Sequence, residues 1–136
     1  MFAVRSRRLA GISLSLLAAG LALASFVAAD EKKAADQVLT GQLVDSRCYV
    51  KMGATGGDHA ECAIQCLKDG IPAALLLDSG ELYYIVAPAM GFAEYANKTV
   101  RLTGKVNEKL HAVVPVKIEI NKGDTWVEGK IPKSMM

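Results

Sequence analysis

Apolar and polar residues take turns along several separate stretches of this chain. The cleanest is Thr99 to Val106, with Val100, Leu102, Gly104 and Val106 on one side and Thr99, Arg101, Thr103 and Lys105 on the other. A period of two over eight residues predicts a half-buried strand. Val113 to Ile120 repeats the pattern through Val114, Val116, Ile118 and Ile120, with Lys117 and Glu119 outward. Pro115 cannot donate to a ladder, so it predicts an edge or a bulge there. Val38 to Tyr49 alternates around Gly41 and predicts a first strand that carries Cys48 out at its end. Lys51 to Gly57 follows as a glycine-rich loop. Ala73 to Leu77 and Glu81 to Ala87 flank the turn Asp78-Ser79-Gly80 and predict a hairpin.

Between the first two strands the period changes. Asp58 is a good N-cap residue, and Glu61 stands three positions on, as in an acidic capping box. Gly70 suits the position after the last helical turn, and Pro72 forbids continuation. A helix is therefore expected from Asp58. Ala89 to Asn97 predicts a shorter helix, and a short strand is expected around Trp126 and Val127. The fold expected is mainly β: a five-stranded OB-like barrel, with one helix inserted after strand 1 and a short helix between strands 3 and 4. An open α+β sheet is the alternative.

The N-terminus bears on compartment. Met1 to Arg8 holds three arginines and no acid, Leu9 to Val27 is uncharged and rich in Leu and Ala, and Val27-Ala28-Ala29 supplies small residues before Asp30. This is the pattern of a secretory signal peptide over residues 1–29. A retained membrane anchor is the competing reading, and Arg7-Arg8 leaves twin-arginine export as a minor option. Residues 30–37 read as a flexible leader, and residues 38–130 as a single OB-like domain. The location expected is periplasmic or secreted, with no stable membrane span after cleavage. The chain has 16 basic and 14 acidic residues; without the three leader arginines, 13 basic residues face 14 acids, a net charge of −1. That near-neutral balance argues against nucleic acid as a partner.

The segments TGQLVDSRCYVKMG, HAECAIQCLKDGIPAALL, ELYYIV and KTVRLTGKV together resemble a group of small exported bacterial proteins with an OB-like fold. The pattern is D-x-x-C, then H-x-x-C-A-x-x-C-x-x-x-G-x-P, falling on Asp45, Cys48, His59, Cys62, Ala63, Cys66, Gly70 and Pro72. The resemblance spans about residues 39 to 120. It implies an OB-like fold and an envelope location, and names no substrate.

The candidate chemistry lies in the same residues. On a helix beginning at His59, residues advance about 100° each, so His59, Cys62 and Cys66 share a stripe flanked by Ala63 and Leu67. Cys48 can reach that stripe across the glycine loop. Three uses compete. The first is a structural disulfide, because exported proteins oxidise their cysteines. Cys62 and Cys66 are i and i+4 on one helix, and bridging them strains it, so Cys48 is one partner, with Cys66 as the pairing considered. The second is a metal site made of Cys48, His59, Cys62 and Cys66, suited to zinc or copper. Met52 and Met90 are further soft donors if they lie near. The third is thiol redox chemistry at Cys62, near a helix start and one turn after His59. No C-x-x-C motif is present. The function expected is a non-enzymatic binding module for a metal, a small ligand or an envelope protein. A thiol-dependent redox protein is the alternative. Asp45 reads as a turn cap or an outer partner for His59, and His111 as a solvated loop residue.

Overall fold

The computed structural model describes residues 35–131. The signal peptide and most of the leader assigned from sequence lie outside the described residues. Six strands form one sheet: β1 Asp36–Asp45, β2 Ala73–Leu77, β3 Leu82–Ile85, β4 Thr99–Asn107, β5 Ala112–Asn121 and β6 Trp126–Glu128. Strand order is β3-β2-β1-β4-β5-β6, and a further β3–β5 pairing closes five of the strands into a ring. That pairing is parallel and short, matching Tyr84 with Ala112 and Ile85 with Val113. All other pairings are antiparallel. The chain is thus an OB-like barrel, and the open-sheet alternative does not hold.

Two helices lie between β1 and β2: α1 Ser46–Met52 and α2 Ala60–Lys68, the latter entered through a 3-10 turn at Gly57–His59. A 3-10 segment, Ala89–Tyr95, joins β3 to β4 where a short helix was expected. Among the described residues, no helix is long and apolar enough to cross a membrane.

The alternation in β4 holds as read, with Val100, Leu102, Gly104 and Val106 inward. β5 departs from it. Val113 and Pro115 point inward, then Ile118 and Ile120, whereas Val114 and Val116 are exposed. The pairing steps from Thr103↔Lys117 to Gly104↔Pro115, leaving Val116 as an extra residue. One inserted residue shifts a period-two pattern to the opposite face. The bulge expected from Pro115 is present, but it reverses the side on which Val114 and Val116 stand. Opposite it, a Cβ on Gly104 would come 2.2 Å from the Val114 carbonyl oxygen, so only glycine fits.

The core fills the ring and its lower opening. Leu43, Leu75, Leu102 and Ile118 come from the strands, Ala63 and Leu67 from α2, and Phe92 and Tyr95 from the 3-10 segment. Tyr83 is buried and Tyr84 half-exposed, as expected for neighbours on a strand. His111, an exposed turn residue with φ 45°, rests its ring on Tyr83 with centroids 5.2 Å apart. The Tyr83 hydroxyl donates to the Glu108 carboxylate. That bond, and burial after it, push the phenol from 10.0 up to about 12. The folded state therefore holds this proton more tightly than the unfolded chain does. Its contribution to stability is complete below pH 10 and is lost as pH rises towards 12. Melting followed between pH 9 and 12 should show a decline that is shallower in Tyr83→Phe. Equal slopes in the two proteins would assign the decline to other groups.

Candidate metal centre

The site is built where β1 ends. Asp45, the last residue of β1, is extended at ψ 130° and caps α1: its Oδ1 accepts from the Cys48 backbone N–H at 2.8 Å. Gly53, in the left-handed region at φ 65°, ends the helix by donating to the Tyr49 carbonyl. Seven residues are too few to hold a helix unaided in water, so both caps and the Ser46 N–H bond to the Pro72 carbonyl fix α1 in place. The first strand therefore stops at Asp45 instead of running to Tyr49. Cys48 sits on a helix, in its first turn, rather than at a strand end. The strand also begins at Asp36, two residues inside the segment read as leader.

The second element is α2. Asp58 does not cap it; the 3-10 turn occupies that place, and His59 stands at the N-cap position with no side-chain cap bond. Gly70 ends the helix as expected, at φ 89°. Ala63 and Leu67 are fully buried against the barrel. Cys66 is half-buried and Cys62 exposed, so the cysteines lie along the edge of the buried stripe rather than within it.

The structure brings Cys48, Cys62 and Cys66 together, with their three Sγ atoms within 4.8 Å of one another. All three are free thiols. Cys48 Sγ and Cys66 Sγ stand 4.0 Å apart, about twice an S–S bond of ~2.05 Å, so the Cys48–Cys66 disulfide considered from sequence is not formed. Two thiolates on one tetrahedral zinc, each bonded at about 2.3 Å, lie roughly 3.8 Å apart. The observed spacing is thus close to that of two ligands sharing an ion.

His59 is not part of this trio. It groups instead with Cys48 and Asp45, a second set of donors also within 4.8 Å of one another. His59 Nε2 faces Asp45 Oδ2 at 3.7 Å. Cys48 belongs to both sets. The four-residue shell of Cys48, His59, Cys62 and Cys66 is therefore divided, because His59 starts α2 from the side of Asp45. Asp45 takes the capping role expected of it and also stands against His59, the partner considered for it. Its signal was present, since Asp45 and Gly53 bracket a segment of helix-cap length. Of the methionines, Met52 ends α1 and is exposed, while Met90 lines a groove of about 470 Å³ with Lys68, Gly70, Pro72 and Val86, where no cysteine takes part.

Burial pushes the Cys48 thiol up to about 12, and the neighbouring Asp45 carboxylate adds to the effect. Burial raises the Cys66 thiol too. These two groups hold their protons until something stronger displaces them, opposite to the lowered pKa of an activated redox cysteine. A metal ion is such a competitor, because it binds the thiolate and releases the proton.

Fold and site together define a small OB-like barrel that carries a cluster of three thiols beside a buried Asp–His pair. No family model, no curated protein and no solved structure matches the chain.

Proposed function

We propose that this protein is a small exported binding module whose Cys48, Cys62 and Cys66 thiolates hold one soft metal ion, Cu(I) in preference to zinc. The observation that carries this is the convergence of three free sulfurs, two of them 4.0 Å apart. Three sulfurs without a fourth protein donor suit Cu(I) better than zinc, whose closed sites take four ligands. Cys62, exposed at the rim, gives the ion a way in, while Cys48 is buried below it. The signal-peptide pattern of residues 1–29 supports export to the envelope.

The test is titration of the reduced, metal-free protein with Cu(I) against a competing chelator, followed by thiolate-to-metal absorption. One Cu(I) per chain is expected. Cys66→Ser should weaken binding by more than the roughly 10–100-fold typical of losing an outer partner of a ligand. His59→Ala should leave Cu(I) uptake unchanged, since His59 stands outside the trio. Three alkylatable thiols with no Cu(I) uptake would defeat the proposal.

The 4.0 Å spacing also favours a second reading, a Cys48–Cys66 disulfide formed by side-chain rotation under oxidation. In the chain-entropy view it would close a loop of about 18 residues and contribute about 3 kcal/mol. Peptide mapping without reduction distinguishes the two: a protein isolated from the envelope with a single free thiol at Cys62 supports the staple.

A further inference from the structure

Asp45 is 1% exposed, and one of its carboxylate oxygens is satisfied by the Cys48 N–H. Among the described residues, the other, Oδ2, has no hydrogen-bond partner although it is buried, and neither has His59 Nε2. A buried carboxylate oxygen without a donor is costly, and native structures seldom leave one. The two atoms face each other at 3.7 Å, the separation of an ion pair. That is too long for a hydrogen bond. A nitrogen and an oxygen on one tetrahedral zinc, bonded at about 2.0–2.2 Å, lie roughly 3.4 Å apart. Cys48 Sγ completes a triangle with them inside 4.8 Å.

We propose that Asp45, Cys48 and His59 form a second metal site, for a borderline divalent cation such as Zn(II), with the Cys48 thiolate bridging it to the ion held by the cysteine trio. Nitrogen, oxygen and sulfur together make a zinc donor set rather than a Cu(I) one. The two half-sites differ in chemistry although they share an atom: one offers only sulfur, the other only one sulfur among harder donors. Three protein ligands leave a fourth position open to water or another ligand. The division of Asp45 between two tasks is consistent with this: Oδ1 is held by the α1 cap and fixes the carboxylate, leaving Oδ2 aimed at His59. The inference rests on the thiolate cluster proposed above for its shared ligand, Cys48.

The experiment offers Zn(II) to the protein both metal-free and after loading with one Cu(I), counts bound ions by native mass spectrometry, and repeats the count with Co(II) for its visible spectrum. Asp45→Asn keeps a side chain able to cap α1 but weakens the donor. His59→Ala removes a partly exposed ring that makes no cap bond. Wild type loaded with Cu(I) should take up one Zn(II) more, with mixed N/O/S tetrahedral bands for Co(II). Both variants should take up Cu(I) normally and no second ion, and their circular dichroism should match wild type. If Asp45→Asn does not fold, His59→Ala alone decides. A Cu(I)-loaded wild type that refuses Zn(II) overturns the second site and leaves the thiolate reading intact. Cu(I) uptake that falls with His59→Ala overturns it also, since His59 would then bind the first ion. Failure of Cu(I) to bind removes the thiolate reading; Zn(II) uptake by metal-free wild type that is lost in His59→Ala would still uphold the site argued here, and none in either would end both.

Discussion

Cys48→Ser should abolish metal loading altogether, whereas Cys62→Ser should spare the Asp45–His59 side of the cluster. Cys48 is the only residue common to both donor sets. It is buried and fixed by the first turn of α1, so no neighbouring sulfur can take its place. Serine offers an alcohol in place of the thiol, a poor ligand for Cu(I). The effect should also appear in stability. An ion that binds only the folded chain, present at about 100 times its dissociation constant, adds roughly 2.7 kcal/mol. In a domain of this size that raises the melting temperature by more than about 10 °C. The rise should be present in wild type and absent in Cys48→Ser, with metal-free melting little changed. It should also grow with pH, because burial holds the Cys48 proton up to about 12 and the ion must displace it. Equal metal-dependent stabilisation of both proteins would show that Cys48 is not a ligand.

Phe92→Ala should destabilise the metal-free protein by about 3–5 kcal/mol, the range for removing a buried aromatic side chain. Phe92 is fully buried at the base of the barrel and meets Tyr95 edge to face, with centroids 6.4 Å apart. The segment that carries it packs on α2, whose Ala63 and Leu67 belong to the same core. Tyr95 is pinned by its hydroxyl, which donates to the Lys130 carbonyl and accepts from the Lys130 N–H. It cannot swing in to fill the space. A domain of this size has about 5–15 kcal/mol in all, so the loss takes up a large part of it. Urea unfolding of wild type and variant measures it directly. A change below about 1 kcal/mol would mean that the barrel base is not a packed core.

The bounds of β2 at Ala73–Leu77 follow from an apolar run between Pro72 and a glycine turn, and the inward face of β4 follows from strict alternation. Such signals are local and repeated. Five strands and the position of the intervening helix suited an OB-like barrel, but closure into a ring was not legible, because the two-pair β3–β5 contact leaves no mark in the sequence. The missing details each hang on a single residue. Pro115 marked a bulge, but no period shows that the extra residue at Val116 inverts half of β5. α1 spans two turns, too short for a periodicity of its own, and Tyr49 and Val50 within it favour strands. Its caps, Asp45 and Gly53, were the only markers. The gathering of the cysteines was legible from helical spacing. The separation of His59 was not, because it depends on a 3-10 turn that replaces the expected Asp58 cap.

The ring is closed by its shortest pairing, two residue pairs between β3 and β5. The β1–β4 and β4–β5 ladders are far longer. The barrel is therefore better pictured as a curled ribbon with a latch than as a welded cylinder. Releasing Tyr84 and Val86 from the carbonyls of His111 and Val113 would uncurl one edge while every antiparallel ladder stays intact. Low-energy openings of this kind are where a folded domain first departs from its closed form. Tyr84 of the latch pairs with Ala74 on β2, next to the Asp45↔Ala73 pair, so an opening of the latch begins at the same end of β2 as the cysteine cluster.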